Sequence, residues 1–269
     1  MYNIIFLYPK GLTKAVTMSY DDGQIFDRRL VEIFNRRKIR SAFNLSCRLI
    51  GRNGFVAKEE IPELYQGHEI ACHAGFHAPF SWQPPAQIQT SLLSDRHFFE
   101  DLLQRPVLGV AYPGGRGSAE NARQMRSLGF LYARTCVPHH GWGLPDDFFL
   151  WDISHRHDSD LAEKASLYIR LSSYAPSLFF LAGHSYEFEQ DQNWEWIERI
   201  CEILGNHEDI WYPTPVEIAV WRNTIQSLRF STDFSSVWNP TCFSVWYKNE
   251  HGSRIFEIRP GETAKIMEE

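Results

Sequence analysis

Two stretches of the sequence carry side chains that could hold a metal ion. Asp21 and Asp22 end a short β-forming run. His73 and His77 follow a second apolar run, four residues apart, in a segment that contains glycine. Buried adjacent carboxylates repel each other and lose hydration, so they require a nearby cation or a shared proton. One carboxylate and two imidazoles form a three-ligand set for Zn²⁺ or a similar ion, with open positions for water and substrate.

Each stretch also has an ordinary structural explanation. Asp-Asp-Gly is a common turn or helix cap, and a single histidine is often a buried residue satisfied by hydrogen bonds. The presence of both stretches in one chain favours metal chemistry.

The surrounding elements predict an α/β fold that would bring these residues together. Residues 15–22 are predicted to form a strand, and apolar spacing over 27–37 predicts a helix. Further strands are predicted at 40–45, 69–72, 107–111, 130–135, 148–153 and 177–182, and further helices at 58–65, 86–103, 121–128, 160–172, 194–204 and 214–221. This alternation predicts a parallel sheet, open or closed into a barrel, with helices outside it. Ligands and catalytic groups collect at the carboxyl ends of such strands.

The pattern changes near residue 223. Short strands are predicted at 227–230, 243–247 and 255–258, separated by Asn, Pro and Gly turns. We therefore expect a catalytic domain over 1–222 and a small antiparallel β extension over 223–269, which could extend a sheet edge, bind sugar or join subunits.

Composition narrows the class of protein. A hydrophobic fraction of 43% and a charged fraction of 22% are ordinary for a soluble globular protein. The net charge of -6 argues against nucleic-acid or anionic-membrane partners. Five scattered cysteines without a Cys-x-x-Cys pair indicate reduced thiols. Together with the lack of a signal-peptide pattern they predict a cytoplasmic protein, although a trimmed leader would leave the same sequence.

In their order along the chain, the motifs resemble those of the polysaccharide deacetylases of carbohydrate esterase family four. Residues 19–23 match the family's Thr-Phe-Asp-Asp-Gly, and residues 67–77 match Gly-His-Glu-Ile leading to His-Ser/Thr-x-x-His. Residues 112–115 match a Tyr-Pro-x-Gly turn, and residues 180–184 match a late hydrophobic strand that ends in histidine. The four motifs agree with the family in order and spacing.

The resemblance implies a distorted, incomplete β/α barrel of about seven parallel strands. It also implies a metal-dependent hydrolase that removes N- or O-linked acetyl groups from an acetylated carbohydrate. Asp22, His73 and His77 would hold the metal, which is expected to be zinc, with cobalt and nickel as alternatives.

The resemblance also assigns the other roles. Asp21 would be the general base, His184 would be the general acid, and the backbone N–H of Gly114 would stabilise the oxyanion. Asp152, in Trp151-Asp152, is the nearest counterpart of the family aspartate that tunes the late histidine. His155 and Asp158 are alternatives to it.

The chain departs from the family pattern at several supporting positions. Gly114 stands where the family has a side chain that lines the cleft. The family arginine that orients the catalytic aspartate aligns with Ala111, so Asp21 is expected to lack that neighbour. Ala74 replaces a serine or threonine whose hydroxyl braces the histidine loop. Two further hypotheses therefore stand beside the deacetylase: an amidase of the same fold that acts on a small amide or ureide, and a catalytically weak carbohydrate-binding protein.

Overall fold

The computed structural model describes residues 4–157, 161–250 and 252–266. Its strands, numbered in chain order, are β1 (Ile4–Leu7), β2 (Lys14–Asp22), β3 (Ser41–Leu45), β4 (Glu69–Cys72), β5 (Gly109–Ala111), β6 (Tyr132–Pro138), β7 (Trp151–Ile153), β8 (His155–Arg156), β9 (Ser177–His184), β10 (Ile210–Trp211), β11 (Arg229–Phe230), β12 (Ser236–Trp238), β13 (Val245–Asn249), β14 (Ile255–Ile258) and β15 (Thr263–Lys265). Its α-helices are α1 (Asp27–Arg36), α2 (Ile61–Leu64), α3 (Pro85–Leu103), α4 (Ala119–Ser127), α5 (Leu161–Arg170), α6 (Ser185–Gln190), α7 (Trp194–Leu204) and α8 (Pro215–Ser227).

The main sheet forms a nearly closed parallel barrel. Its strands follow the order β7-β6-β5-β4-β3-β2-β9-β8, and β10 pairs in parallel with the start of β2. The predicted α/β barrel is thus confirmed, with eight strands where about seven were expected. The short strands β8 and β10 have two residues each, too few to show a periodic pattern.

The two faces of the sheet carry different side chains. On β2, Val16, Met18 and Tyr20 belong to the large apolar cluster between sheet and helices. Ala15 belongs to the second cluster, inside the barrel. Because side chains alternate along a strand, Asp21 shares the inner face with Ala15 and lies at the carboxyl end of the barrel.

The predicted antiparallel extension is confirmed as two small sheets. One has the order β11-β12-β15, and the other has the order β1-β13-β14. The second sheet includes the N-terminal strand β1, which pairs antiparallel with β13 from Ile4 opposite Asn249 to Leu7 opposite Trp246. Helix α8 continues to Ser227, past residue 222. The division of the chain at residue 222 stays a prediction.

Within the described ranges, the helices are too short or too polar to cross a membrane.

Candidate metal centre

Most of the predicted site residues converge at the carboxyl ends of neighbouring strands. Asp21 and Asp22 end β2, and His73 immediately follows β4. His184 ends β9, where it is the register partner of Asp21. Strands β3 and β9 flank β2, and β4 pairs with β3, so the barrel itself sets the spacing of these side chains.

Asp22, His73 and His77 form the candidate metal site. Each offers one ligand atom, and these atoms lie within 4.8 Å of one another. The Asp22 Oδ1 atom is 2.9 Å from His77 Nε2 and 3.7 Å from His73 Nε2. This buried oxygen has no aligned hydrogen bond within the described part of the chain. An acceptor oxygen left between two imidazole nitrogens is the arrangement that a cation satisfies.

The protonation states of Asp22 and His73 also fit a cation. Burial raises the pKa of Asp22, but His77 and His73 oppose it, and the net pKa is below the ordinary value. Burial lowers the pKa of His73, which favours the neutral ring. The His73 Nδ1 atom lies 2.9 Å from the Ala111 carbonyl oxygen. Since a carbonyl only accepts, Nδ1 carries the hydrogen and Nε2 is left to face the site.

The histidine loop is held in a strained shape by side chains from other elements. Ala74 and His77 have φ angles of 57° and 46°, in the left-handed region. The Ser46 hydroxyl donates to the carbonyls of His73 at 3.2 Å and Ala74 at 3.0 Å. The Asp95 carboxylate accepts from the His73 backbone N–H at 3.2 Å. Ser46, which directly follows β3, therefore supplies the hydroxyl that Ala74 lacks.

Asp21 is paired with a buried arginine. The fully buried Arg134 guanidinium donates to Asp21 Oδ1, and the Asn44 amide donates to the same oxygen at 2.7 Å. Burial raises the pKa of Asp21, but Arg134, His73 and His184 together lower it well below its usual range. The Asp21 side chain is therefore a fixed, ionised carboxylate beside the candidate metal site.

This pairing overturns the expectation that Asp21 lacks its arginine. Ala111 on β5 and Arg134 on β6 are register partners. An arginine on β6, at the same height in the barrel as the β5 position where the family has its arginine, therefore reaches the Asp21 carboxylate. Its sequence signal is a charged residue inside the apolar strand 130–135, on the same face as Tyr132.

A scan against family models matched residues 9–133 to the polysaccharide deacetylase family. Just under half of the chain, including the candidate metal ligands, therefore matches this family. Its matched segment contains the Asp-Asp pair, both site histidines and the turn at 112–115. A search of curated proteins found no match.

Solved structures share the fold of this chain at low identity. A protein assigned as a polysaccharide deacetylase from Mycobacterium smegmatis is 15% identical with a TM-score of 0.63, over 84% of this chain and 96% of that one. The PuuE allantoinase is 14% identical with a TM-score of 0.58, over 81% and 93%. A CE4-family pseudoenzyme from Bacillus anthracis is 12% identical with a TM-score of 0.51, over 80% and 68%. These likenesses show the fold alone.

Gly114 lies in the turn of the third deacetylase motif. It forms part of the 3₁₀ turn Pro113–Gly115, is exposed, and has a φ of 73°. A Cβ atom at this position would lie 3.2 Å from Pro79 Cγ. The left-handed backbone and this close neighbour explain why glycine replaces a larger residue here.

His184 faces both aspartates from the opposite side of the cleft. Its Nε2 atom is 3.9 Å from Asp21 Oδ2 and 4.0 Å from Asp22 Oδ2. Burial lowers the pKa of His184, but Glu187, Asp21 and Asp22 outweigh it and raise the pKa above its ordinary value. His184 therefore retains a proton more readily than a free histidine.

The prediction that Asp152 tunes His184 is wrong. Asp152 lies on β7 between Trp151 and Ile153, whose side chains both belong to the cluster inside the barrel. Alternation therefore directs Asp152 to the other face, where it accepts a hydrogen bond from the Thr135 hydroxyl.

The carboxylate that approaches His184 is Glu187, whose Oε1 atom lies 3.3 Å from His184 Nδ1. Of the two alternatives to Asp152, His155 packs against Phe179 in the outer layer. Asp158 lies outside the described residues. Glu187 has a sequence signal, since a glutamate three residues after a helix N-cap is a capping-box position.

Proposed function

We propose that the protein is a metal-dependent deacetylase that removes an N- or O-linked acetyl group from a carbohydrate. The main support is the convergence of the candidate metal site with a fixed carboxylate and a histidine. Asp22 Oδ1 lies between the two site imidazoles, while Asp21 and His184 stand beside it. The family match supports the same reaction class.

Asp22, His73 and His77 would hold the ion, with zinc as the first choice for a set of two nitrogens and one oxygen. A divalent metal there would supply Lewis acidity to the acetyl carbonyl and would lower the pKa of a water molecule toward ~7. Ser46 and Asp95 keep the histidine loop in the shape that this ligand set requires.

Asp21 would accept the proton of the attacking water. Its lowered pKa keeps it ionised at neutral pH, and Arg134 and Asn44 hold its Oδ1 atom, which leaves Oδ2 directed at His184 across the cleft. General-base catalysis by a positioned carboxylate typically contributes about 10²–10⁴-fold.

His184 would donate a proton to the departing amine or alkoxide. Its raised pKa favours the protonated ring, which an acid requires. The backbone N–H of Gly114 would stabilise the charge that develops on the acetyl oxygen, because a peptide N–H at an exposed turn can approach a ligand closely.

Acetate release from acetylated oligosaccharides tests the proposal. Wild-type protein, stripped with a chelator and reloaded with zinc, is expected to release acetate only after reloading. Asp21→Asn is expected to bind zinc as well as wild type and to lose about 10²-fold or more in kcat, since it removes the base and keeps the ligands.

A cyclic ureide serves as the comparison substrate in the same assay. Hydrolysis of the ureide without acetate release would replace the deacetylase by the amidase hypothesis. Sugar affinity with no turnover of either substrate at any zinc concentration would favour the binding protein.

A further inference from the structure

Three basic side chains meet at the carboxylate of Glu187. Arg156 pairs with its Oε1 atom and His157 with its Oε2 atom. His184 approaches the same group twice, with Nδ1 at 3.3 Å from Oε1 and with its backbone N–H donating to Oε2 at 3.4 Å. The Nδ1 contact is close without being an aligned hydrogen bond. The position of the His184 ring therefore depends on what holds Glu187.

The hydrogen atoms in this cluster can be assigned from chemistry alone. A carboxylate only accepts hydrogen bonds, so His157 must carry a hydrogen on Nε2. Its Nδ1 atom lies 3.3 Å from the Tyr20 hydroxyl. A tyrosine hydroxyl keeps its proton at neutral pH and can donate to Nδ1. Tyr20 and His157 thus form a chain of donors that ends on Glu187.

Packing fixes the His157 ring in this chain. A Cβ atom at residue 183 would lie 2.2 Å from the ring, so glycine is required immediately before His184. The ring centroid lies 4.4 Å from that of Phe188, and the backbone N–H of His157 donates to the Ala182 carbonyl at 3.2 Å. The side chain of Arg156, by contrast, is 39% exposed. His157 is therefore the rigid partner of Glu187, and Arg156 is the solvated one.

We infer that His157 and Glu187 are positioning residues for His184. His157 orients the Glu187 carboxylate, which favours a hydrogen on His184 Nδ1 and leaves Nε2 directed at Asp21 and Asp22. His157 touches neither aspartate of the cleft, and acts through Glu187. The inference rests on the proposed function for the role of His184, and its structural part can be tested without turnover.

The experiment compares three variants with a matched control. His157→Phe keeps an aromatic ring and removes both nitrogens, His157→Gln keeps an amide donor, and Glu187→Gln removes the charge. His68→Phe is the control, because His68 is also buried and hydrogen-bonded, accepting from the Ser41 N–H at 3.2 Å, at the far end of β4. Each protein is assayed for kcat and KM of acetate release and for zinc content.

His157→Phe and Glu187→Gln are expected to lower kcat on the order of 10- to 100-fold, with KM and zinc content near those of wild type. His157→Gln is expected to recover part of that loss. His68→Phe is expected to lower stability and to keep the wild-type kcat. A wild-type kcat in His157→Phe would overturn the inference. If that variant fails to fold, a wild-type kcat in Glu187→Gln would do the same.

The ¹⁵N chemical shifts of the His184 ring, assigned with His184→Gln, provide the readout independent of turnover. Wild type is expected to show a hydrogen on Nδ1, and His157→Phe and His157→Gln are expected to alter the balance between the two nitrogens, the second variant less. Identical shifts in wild type and both variants would refute the inference. If wild type releases no acetate, the proposed function fails, while these shifts still decide whether His157 and Glu187 position His184.

Discussion

Replacement of Arg134 by methionine tests how the barrel keeps Asp21 ionised. The Arg134 side chain is 0% exposed and that of Asp21 is 4% exposed, and the guanidinium donates directly to Asp21 Oδ1. The substitution removes the cation and leaves Asp21 buried, with Asn44 still donating at 2.7 Å. Burial then raises the pKa of Asp21 without the opposing charge of Arg134, so the pKa of Asp21 must rise.

The magnitude follows from the geometry. Removal of one partner from a buried ion pair typically costs about 3–5 kcal/mol in the free energy of unfolding. The double variant Arg134→Met with Asp21→Asn is expected to be more stable than Arg134→Met alone, since it leaves no unpaired buried charge. Arg126→Met is the matched control. Arg126 pairs with Asp147 at the surface with a side chain 46% exposed, and exposed pairs contribute about 0–1 kcal/mol.

Two assays report the result. Urea unfolding of the four proteins measures the free energies of unfolding. The pH dependence of kcat/KM for acetate release measures the ionisation of Asp21, and its acid limb is expected to move to higher pH in Arg134→Met but not in Arg126→Met. An unchanged acid limb together with equal stability of the single and double variants would refute the role of Arg134.

The remaining predictions concern the metal, a buried acid and a glycine. His73→Ala is expected to bind less than one-tenth of the zinc that wild type binds, because one of the three metal ligands is lost. Equal metal content in both proteins would refute the proposed metal site. Burial raises the pKa of Asp27 to about 7 despite its bonds from Ser185 and Tyr65, so the folded protein binds more protons than the unfolded chain between pH ~4 and ~7 and loses stability as pH rises through that window. Asp27→Asn should remove this pH dependence. Between pH 5 and 8, the free energy of unfolding of the wild type is therefore expected to fall by about 2–3 kcal/mol relative to that of the variant, which urea unfolding at both pH values would measure. Gly183→Ala is expected to cost about 1–3 kcal/mol because its Cβ would lie 2.2 Å from His157, and a melting temperature equal to that of wild type would contradict the tight packing described for this ring.

The sequence predicted the residues that stand at the ends of long strands. Asp21, Asp22 and His184 end β2 and β9, the two longest strands of the barrel, where apolar runs mark the strand and the motif marks its end. His73 and His77 follow a strand whose predicted bounds, 69–72, match β4. Fold class and candidate metal site could therefore be read from the chain.

The supporting residues could not be read in the same way. Arg134, Ser46 and Glu187 supply the ion pair, the loop brace and the histidine partner from positions that differ from those of the family motifs. A comparison of sequence motifs expects each functional side chain at a fixed position along the chain. In a barrel, a side chain on the next strand at the same register can reach the same point in space. The identity of the sugar, the linkage of its acetyl group and the cytoplasmic location stay predictions.

The pairing of β1 with β13 has a consequence for how the chain is made. Ile4–Leu7 are synthesised well before their partners, which lie at 246–249. At a synthesis rate of roughly 5–20 residues per second, the partner strand is made on the order of 10–50 seconds after this apolar strand. Throughout that interval its backbone is an open edge on a nascent chain, which is the kind of surface that chaperones cover and that neighbouring nascent chains can pair with.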